Sequence, residues 1–461
     1  MARSVPVVAV RMSDDPIAAW HDLLEGDSAV AEDSCAALTQ GQRERSLYFG
    51  EHPLSVSLRP QLVTRERYQR AVAAAEAVYG ALGALERALL SDADLRAELD
   101  LGSGEEALAM AEPGFGSSSS SSRLDSFFAD EVRYVEYNAE SPAGMAYTDV
   151  LAEVFESMPV MRAFRERWHL TPLHVRDRQL ACMLRAFDEW RGGRSDAPVM
   201  AIVDWPGLPT LTEFEMFRAY FESRGVRTHI CDPAGLEFGD GVLRADGEPV
   251  NLVYRRVLTS ELLATEDDAH HALRDAYLAG EACVVNSFRA KLLHKKMSLA
   301  LLSDERYAAL YTPAQREAIE RHVPWTRKVR EGPSTRHGQR IDDLAAYISQ
   351  RPRELVLKPN DEYGGKGVVL GWTVDMHEWE QAVAVALTQS YVVQEAVPVP
   401  REPFPVALDG IKLLEFSVDM DPYLFDGQVA GALTRLSSSA LLNVTAGTGS
   451  VVPAYVVEGS A

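Results

Sequence analysis

"SSSSSSRLDSFFADEVRYVEYNAESPAG", residues 117–144, carries Arg123 and Asp125 two apart before Ala129-Asp130, and Glu136 and Asn138 two apart after it. The flanking runs are rich in aromatic and β-branched residues, so the stretch reads as an antiparallel hairpin. With Ala129 and Asp130 as a two-residue turn, Arg123 sits opposite Glu136 and Asp125 opposite Tyr134. Period-two alternation then puts Arg123, Asp125, Glu136 and Asn138 on one face. An Asp, a Glu and an Asn carbonyl are hard oxygen donors of the kind Mg2+ takes beside substrate phosphates, and arginine is a bidentate phosphate partner. The same residues also read as a cross-strand ion pair on a solvated sheet, and the segment alone weighs the two readings evenly. The serine run 117–122 reads as a solvated, low-complexity loop.

Working outward, "ELVLKPNDEYGGKGVVLG" (354–371) delivers Lys358 at the end of a strand, followed by Gly364, Gly365, Lys366 and Gly367. Such a loop can bring backbone N–H groups close to a bulky anion. It is neither a Walker A loop nor a dinucleotide fingerprint, and the plainer reading is a glycine-rich hairpin with solvated lysines. "YVVQEAVPVP" (391–400) runs a strand into Gln394 and Glu395, which can meet a purine base or simply end the strand. "QVAGALTRLSSSALLNVTAGTGSVVP" (428–453) places Arg435 on a strand, where it suits a transferring phosphoryl group, and Asn443 before a glycine-rich turn. Glu415 and Asp419, four apart on one strand, share a face as metal ligands or as solvated acids. Lys295 and Lys296 sit on a helix otherwise rich in Leu and Met, solvated by default. Tyr254, Arg255 and Arg256 either hold an anionic substrate or form a charged strand edge.

The whole chain sets the limits. Its 461 residues require two or three domains, and 46 basic against 68 acidic residues give a net charge of −22, which argues against nucleic acid as a partner. Hydrophobic content of 46% and charged content of 25% are those of a globular protein. Cys35, Cys182, Cys231 and Cys283 form neither a CxxC nor a Cys/His cluster, so they read as buried thiols in a reducing cytosol. The sequence shows no membrane span and no export signal, so a cytoplasmic location is expected. Thr64 to Leu101 reads as one or two amphipathic helices, and 197–231 as a βαβ unit. A hairpin with Asp-Gly at its turn and a further strand follow, and the last hundred residues read as strand-rich.

Singly these signals are weak; in order they resemble the circularly permuted ATP-grasp proteins, the group that includes glutathionylspermidine synthetase and permuted ATP-grasp proteins of unassigned substrate. In that family R-x-D followed by E-x-N precedes the lysine and glycine-loop segments, as Arg123, Asp125, Glu136 and Asn138 do here. The resemblance continues in "SLRPQLVTRERY", "NLVYRRVLTSELL", "NSFRAKLLHKKMSLALL", "LVLKPNDEYGGKG" and "YVVQEAV", and spans roughly residues 55–455. It implies a mixed α+β and α/β fold, a circularly permuted ATP-grasp with a small α/β domain of the pre-ATP-grasp kind. Its parts would be an N-terminal helical segment (1–110), the permuted metal-binding segment (111–195), the α/β domain (196–285) and the lobes with lysines, glycine loop and adenine hinge (286–461).

Residue by residue, the resemblance implies ATP and Mg2+ as cofactors, with Asp125, Glu136 and Asn138 holding the metal. Arg123 would contact the γ-phosphate or an acyl phosphate, with Lys358 as another catalytic cation; Arg435, whose segment carries no firm motif of the family, joins them on its own chemistry as an arginine suited to a transferring phosphoryl group. Lys296 and Lys358 would meet the ATP phosphates, Gly364, Gly365, Lys366 and Gly367 would cover them, and Gln394 and Glu395 would meet adenine. Whether Lys295 or Lys296 fills the first lysine position stays open. No amidase domain with a Cys/His nucleophile accompanies the set. The implied activity is an ATP-dependent carboxylate–amine ligase acting through an acyl phosphate. Its partners would be a small-molecule or peptide carboxylate and an amine, with no nucleic acid or membrane, and a homodimer is compatible. A small-molecule kinase and a non-catalytic ATP-binding module are the alternatives.

Overall fold

The 121–138 hairpin is completed by the far end of the chain. In the computed structural model, which describes residues 15–193, 196–265, 270–407, 410–439 and 449–459, strand Ser121–Phe128 pairs antiparallel with Val132–Asn138 on one side and Asp421–Phe425 on the other. The sheet continues through Gln428–Ser437, Ile411–Val418 and Arg401–Ala407, with Gly449–Val452 alongside Gln428–Ser437. Asn443 lies outside the described residues. The inward face of the hairpin, Leu124, Phe128, Val132, Tyr134 and Tyr137, packs on helix Arg65–Ser91. That helix presents Ala71, Ala74, Ala75 and Ala81 to the sheet, small side chains that let backbone approach closely. Thr64 caps its start by accepting from Arg67 N. Asp92 then caps the short helix Ala93–Ala97, so the 64–101 stretch forms two helices.

The serine run is not a solvated loop. Ser118 to Ser122 are all buried, and Ser121 and Ser122 already belong to the strand. The Asn286 amide donates to Ser121 O (2.6 Å), Ala139 O (2.9 Å) and Glu140 O (2.9 Å), and accepts from Ser121 N (3.1 Å). One side chain thus fastens both strands at the root of the hairpin. Bulkier residues than serine would hold the two segments apart, and the run's composition hides that packing role.

A second antiparallel sheet, in the order Thr326–Lys328, Tyr391–Glu395, Leu355–Pro359 and Val369–Leu370, lies across a cleft from the first. Trp325, Leu355, Leu357 and Val393 pack it against helices Leu344–Ser349 and Met376–Thr388. The second of these helices interrupts the stretch read as strand-rich; its start is set by Asp375 and Glu378, which cap each other's backbone N–H. The third layer is a parallel sheet, Arg227–Cys231, Val199–Val203, Leu252–Arg255 and Cys283–Val285, with helix Leu211–Ser223 as the expected crossover. Strands Val242–Ala245 and Glu248–Val250 turn at Asp246 and Gly247, both at positive φ. A small sheet again joins chain ends, with Ala454–Gly459 between Gln61–Thr64 and Trp168–Pro172.

The lysine segment is two short helices rather than one. Lys291–His294 and Met297–Leu302 are separated by an extended Lys295. Asn360 holds the break open, accepting from Lys296 N and Met297 N (both 2.9 Å) and donating to Leu99 O (2.9 Å). Both lysines are buried, not solvated. All four cysteines are free, Cys182 and Cys283 buried and Cys35 and Cys231 half-buried. Among the described residues no helix is long and apolar enough to cross a membrane.

Candidate active site

The hairpin register departs from the straight reading. Arg123 pairs with Asn138 and Asp125 with Glu136, but Ser126 pairs with Tyr134, so Val135 is an extra, bulged residue. The bulge changes the phase of the strand. Val132, Tyr134 and Tyr137 point into the core, while Glu136 and Asn138 line the cleft with Arg123 and Asp125. Unbroken alternation would have put Glu136 on the buried face of Tyr134. All four side chains therefore share the cleft face as expected, through pairings different from those expected.

The bulge also frees the Val135 carbonyl, to which Lys358 Nζ donates (3.0 Å). The lysine's other bond runs to Gln394 Oε1 (2.7 Å), and Gln394 Nε2 donates in turn to Thr326 Oγ1 (3.0 Å). Among the described residues the ammonium donates to neutral oxygens, Val135 O and Gln394 Oε1. Burial pushes its pKa down to about 8, against the attraction of Glu136 and helped by the nearby charge of Lys296. Lys296 Nζ lies 3.0 Å from Glu136 Oε1 and donates to Glu362 O (2.5 Å). Lys295 instead turns to Glu105 (2.8 Å), Asp361 (3.4 Å) and Asp100 O (3.1 Å). Of the two neighbours, Lys296 is the one directed at the hairpin carboxylate. Burial raises the Glu136 pKa, but Lys296 and Lys358 together hold it below the ordinary value.

At the other side of the cleft, two arginines share three aspartates. Arg123 grips Asp125 bidentately (2.7 and 3.2 Å) and donates to Ala143 O (2.9 Å). Arg435 reaches Asp125 (2.8 Å), Asp419 (2.7 Å) and Asp421 (2.7 Å). Asn138 Nδ2 donates to Asp125 Oδ1 (2.7 Å), and Ser126 N to Asp421 Oδ1 (2.7 Å). Asp125 is held well below the usual carboxylate range: burial opposes ionisation, and the two guanidiniums overcome it. Asp421 goes the other way, pushed up by burial and by the neighbouring charges of Asp125 and Asp419. Asp421 was missed in the sequence, although "VDMD" places it two residues from Asp419. Glu415 is exposed, so the pair expected on one face divides between cleft and solvent.

Gly364 and Gly365 line the cleft at positive φ. Gly367 (φ +71°) packs so closely that a Cβ would lie 2.7 Å from Pro359 Cγ. Lys366 points away and pairs with Glu362 (3.2 Å). The Glu395 carboxylate is fully engaged, accepting from Arg133 Nη2 (2.9 Å), Trp325 N (3.0 Å) and Arg336 Nη2 (3.3 Å). It therefore clasps the hairpin to the second sheet. The cleft lining also has an apolar part, Val356, Val368, Leu370, Trp372, Val397 and Val399. These wall residues escaped the sequence reading because nothing distinguishes them there from ordinary strand interior.

Arg255 and Arg256 are neither a charged edge nor cleft groups. Both are buried: Arg255 donates to Glu140 (2.9 Å), and Arg256 to Pro142 O (2.7 Å) and Tyr254 Oη (3.1 Å). Glu140 also accepts from Lys291 (3.2 Å) and from Thr259, joining hairpin root, parallel sheet and lysine segment.

The donor set suits magnesium. Asp125 and Glu136 face each other across the hairpin, Asn138 follows on the same face, and Lys296, Lys358 and two arginines surround them. Among the described residues no three or more Asp, Glu, His or Cys side chains form a metal cage. A cation here would be held by one or two carboxylates, an amide oxygen and ligand oxygens, the pattern Mg2+ adopts beside phosphates.

No protein-family model and no curated protein sequence matches the chain. Among solved structures, a protein from Methylobacillus flagellatus KT provisionally described as a gamma-glutamylcysteine synthetase is 12% identical. That match covers 81% of this chain and 86% of the other at a TM-score of 0.42. A glutathione synthetase-like effector from Globodera pallida is 14% identical over 96% of this chain and 98% of its own, with a TM-score of 0.58. The chain thus shares with that effector its overall fold, a mixed α/β arrangement of helices and several sheets.

Proposed function

We propose that the protein is an ATP-dependent carboxylate–amine ligase with a circularly permuted ATP-grasp core. The observation that carries this reading is the cleft itself. Its lining combines a half-buried lysine, bonded among the described residues to neutral oxygens, with two hairpin carboxylates and a set of apolar side chains. A triphosphate suits the cationic end and a flat base the apolar one. The fold shared with a glutathione synthetase-like effector supports the reading. So does the chain order, in which the Arg123–Asn138 hairpin precedes the Lys358 strand yet pairs with residues 421–425.

In this reading Asp125, Glu136 and Asn138 would hold Mg2+, which would neutralise phosphate charge. Lys358 and Lys296 orient the phosphate chain, and Arg123 and Arg435 offset the charge that builds on the transferring phosphoryl group. A substrate carboxylate oxygen attacks the γ-phosphorus and ADP leaves. An amine nitrogen then attacks the acyl carbon, expelling phosphate and losing a proton to give the amide. Gly364 and Gly365 cover the phosphates and keep water from the acyl phosphate.

The test is product analysis with Mg-ATP and pooled amino acids, short peptides and polyamines, with hydroxylamine in parallel. ADP and a hydroxamate, both absent with Lys358→Ala, are expected. A phosphorylated product stable to hydroxylamine would make the protein a kinase. Mg-ATP binding with no ADP from any acid and amine would leave a binding module.

A further inference from the structure

Trp372 stands apart from the other tryptophans. Trp20, Trp168, Trp325 and Trp379 are buried in hydrophobic clusters, whereas Trp372 is 41% exposed and lines the cleft. An indole so exposed gains little from burial in this state, so packing does not account for its placement. Its backbone is nevertheless fixed. Gly371 donates to Leu355 O (3.2 Å), Thr373 N donates to Leu370 O (2.9 Å), and a Cβ on Gly371 would sit 2.1 Å from Pro352 O. Only glycine admits this approach, and it delivers the next side chain to the cleft on a rigid turn. Val356, Leu370, Val397 and Val399 line the same cleft and supply an apolar wall.

We propose that Trp372 is the base-positioning residue of the cleft, its indole stacking on the aromatic ring of the bound nucleotide and holding it against the valine wall. This rests on the reading of the cleft as a nucleotide site. An indole face and a valine wall recognise a flat π-system without regard to phosphates. The polar end does the reverse. The two halves are therefore separable by ligand: a purine nucleotide uses both, and inorganic tripolyphosphate uses only the cationic end.

The experiment is calorimetric titration of the full chain with Mg-ATP and with magnesium tripolyphosphate, accompanied by tryptophan emission, for wild type, Trp372→Ala and Trp372→Phe. Mg-ATP is expected to quench the wild-type emission, and much of that change to vanish in both variants. Trp372→Ala is expected to weaken Mg-ATP about tenfold, with tripolyphosphate affinity unchanged, while Trp372→Phe recovers most of the loss. Unchanged Mg-ATP affinity in Trp372→Ala would overturn the assignment, as would equal loss for both ligands. Failure of the wild type to bind Mg-ATP at all would remove the nucleotide reading along with it.

Discussion

Lys358 is the residue whose chemistry responds most directly to its surroundings. Its pKa of about 8 in the folded protein, against about 10.4 for a free side chain, has two consequences of opposite sign. Phosphate binding needs the ammonium, so Mg-ATP affinity is expected to fall as pH rises through about 8; a binding profile flat from pH 7 to 9 would contradict this assignment. Folding behaves the other way. Between the two pKa values the unfolded chain holds more protons, so this site's contribution to stability improves as pH rises across that window. Glu140 is the second decisive residue. Replacing it with Gln leaves Arg255 buried without its counter-charge, while Lys291 keeps Asp361 and Glu105, and thermal or urea unfolding should show a loss of about 3 kcal/mol. Residue identities in the cleft were largely legible, since Arg123, Asp125, Glu136, Asn138 and Lys358 do meet there. Burial was not. Glu140, Arg255 and Lys291 look like surface charges in sequence, because a charged side chain does not announce a partner that lies more than a hundred residues away.

At the scale of elements, the Val135 bulge separates a structural hairpin from a functional one. Deleting Val135 would restore simple alternation with Glu136 and Asn138 still on the cleft face, but it would remove the bulge and with it the carbonyl that positions Lys358. Mg-ATP binding should be lost; a deletion variant that binds Mg-ATP like the wild type would show that the bulge does not set the site. No residue in "EVRYVEYN" signals a bulge, which arises from fitting one strand between a three-residue connection and a fixed partner. The helix Met376–Thr388 was more readable than it seemed, since Asp375 and Glu378 form a capping pair at its start. The break between the two lysine helices depends on Asn360, some sixty residues downstream, and periodicity has no access to it.

The whole molecule is held together by pairings between early and late segments. Residues 61–64 lie beside 454–457, and 121–123 beside 423–425. A chain ending at residue 400 should therefore fail to fold as a unit, losing cooperative unfolding and near-UV circular dichroism along with the last strands. Retention of a sharp transition would show that the hairpin and its helix form an independent body. The 461-residue chain with Mg-ATP at about a hundred times its dissociation constant should gain about 2.7 kcal/mol, measured as a shift in the unfolding midpoint. The βαβ unit followed from pattern, but which strands share a sheet did not, because hydrogen-bond partners across hundreds of residues leave no local trace.

Ser126 waits for Asp421, 295 residues further along. At ribosomal rates of about 5–20 residues per second, roughly 15–60 s separate their emergence, during which Ser121–Phe128 presents an unpaired strand edge to the cell. A nascent chain in that interval is a client for chaperones, and codon choice or pausing between the two segments becomes a determinant of yield even though no amino acid changes.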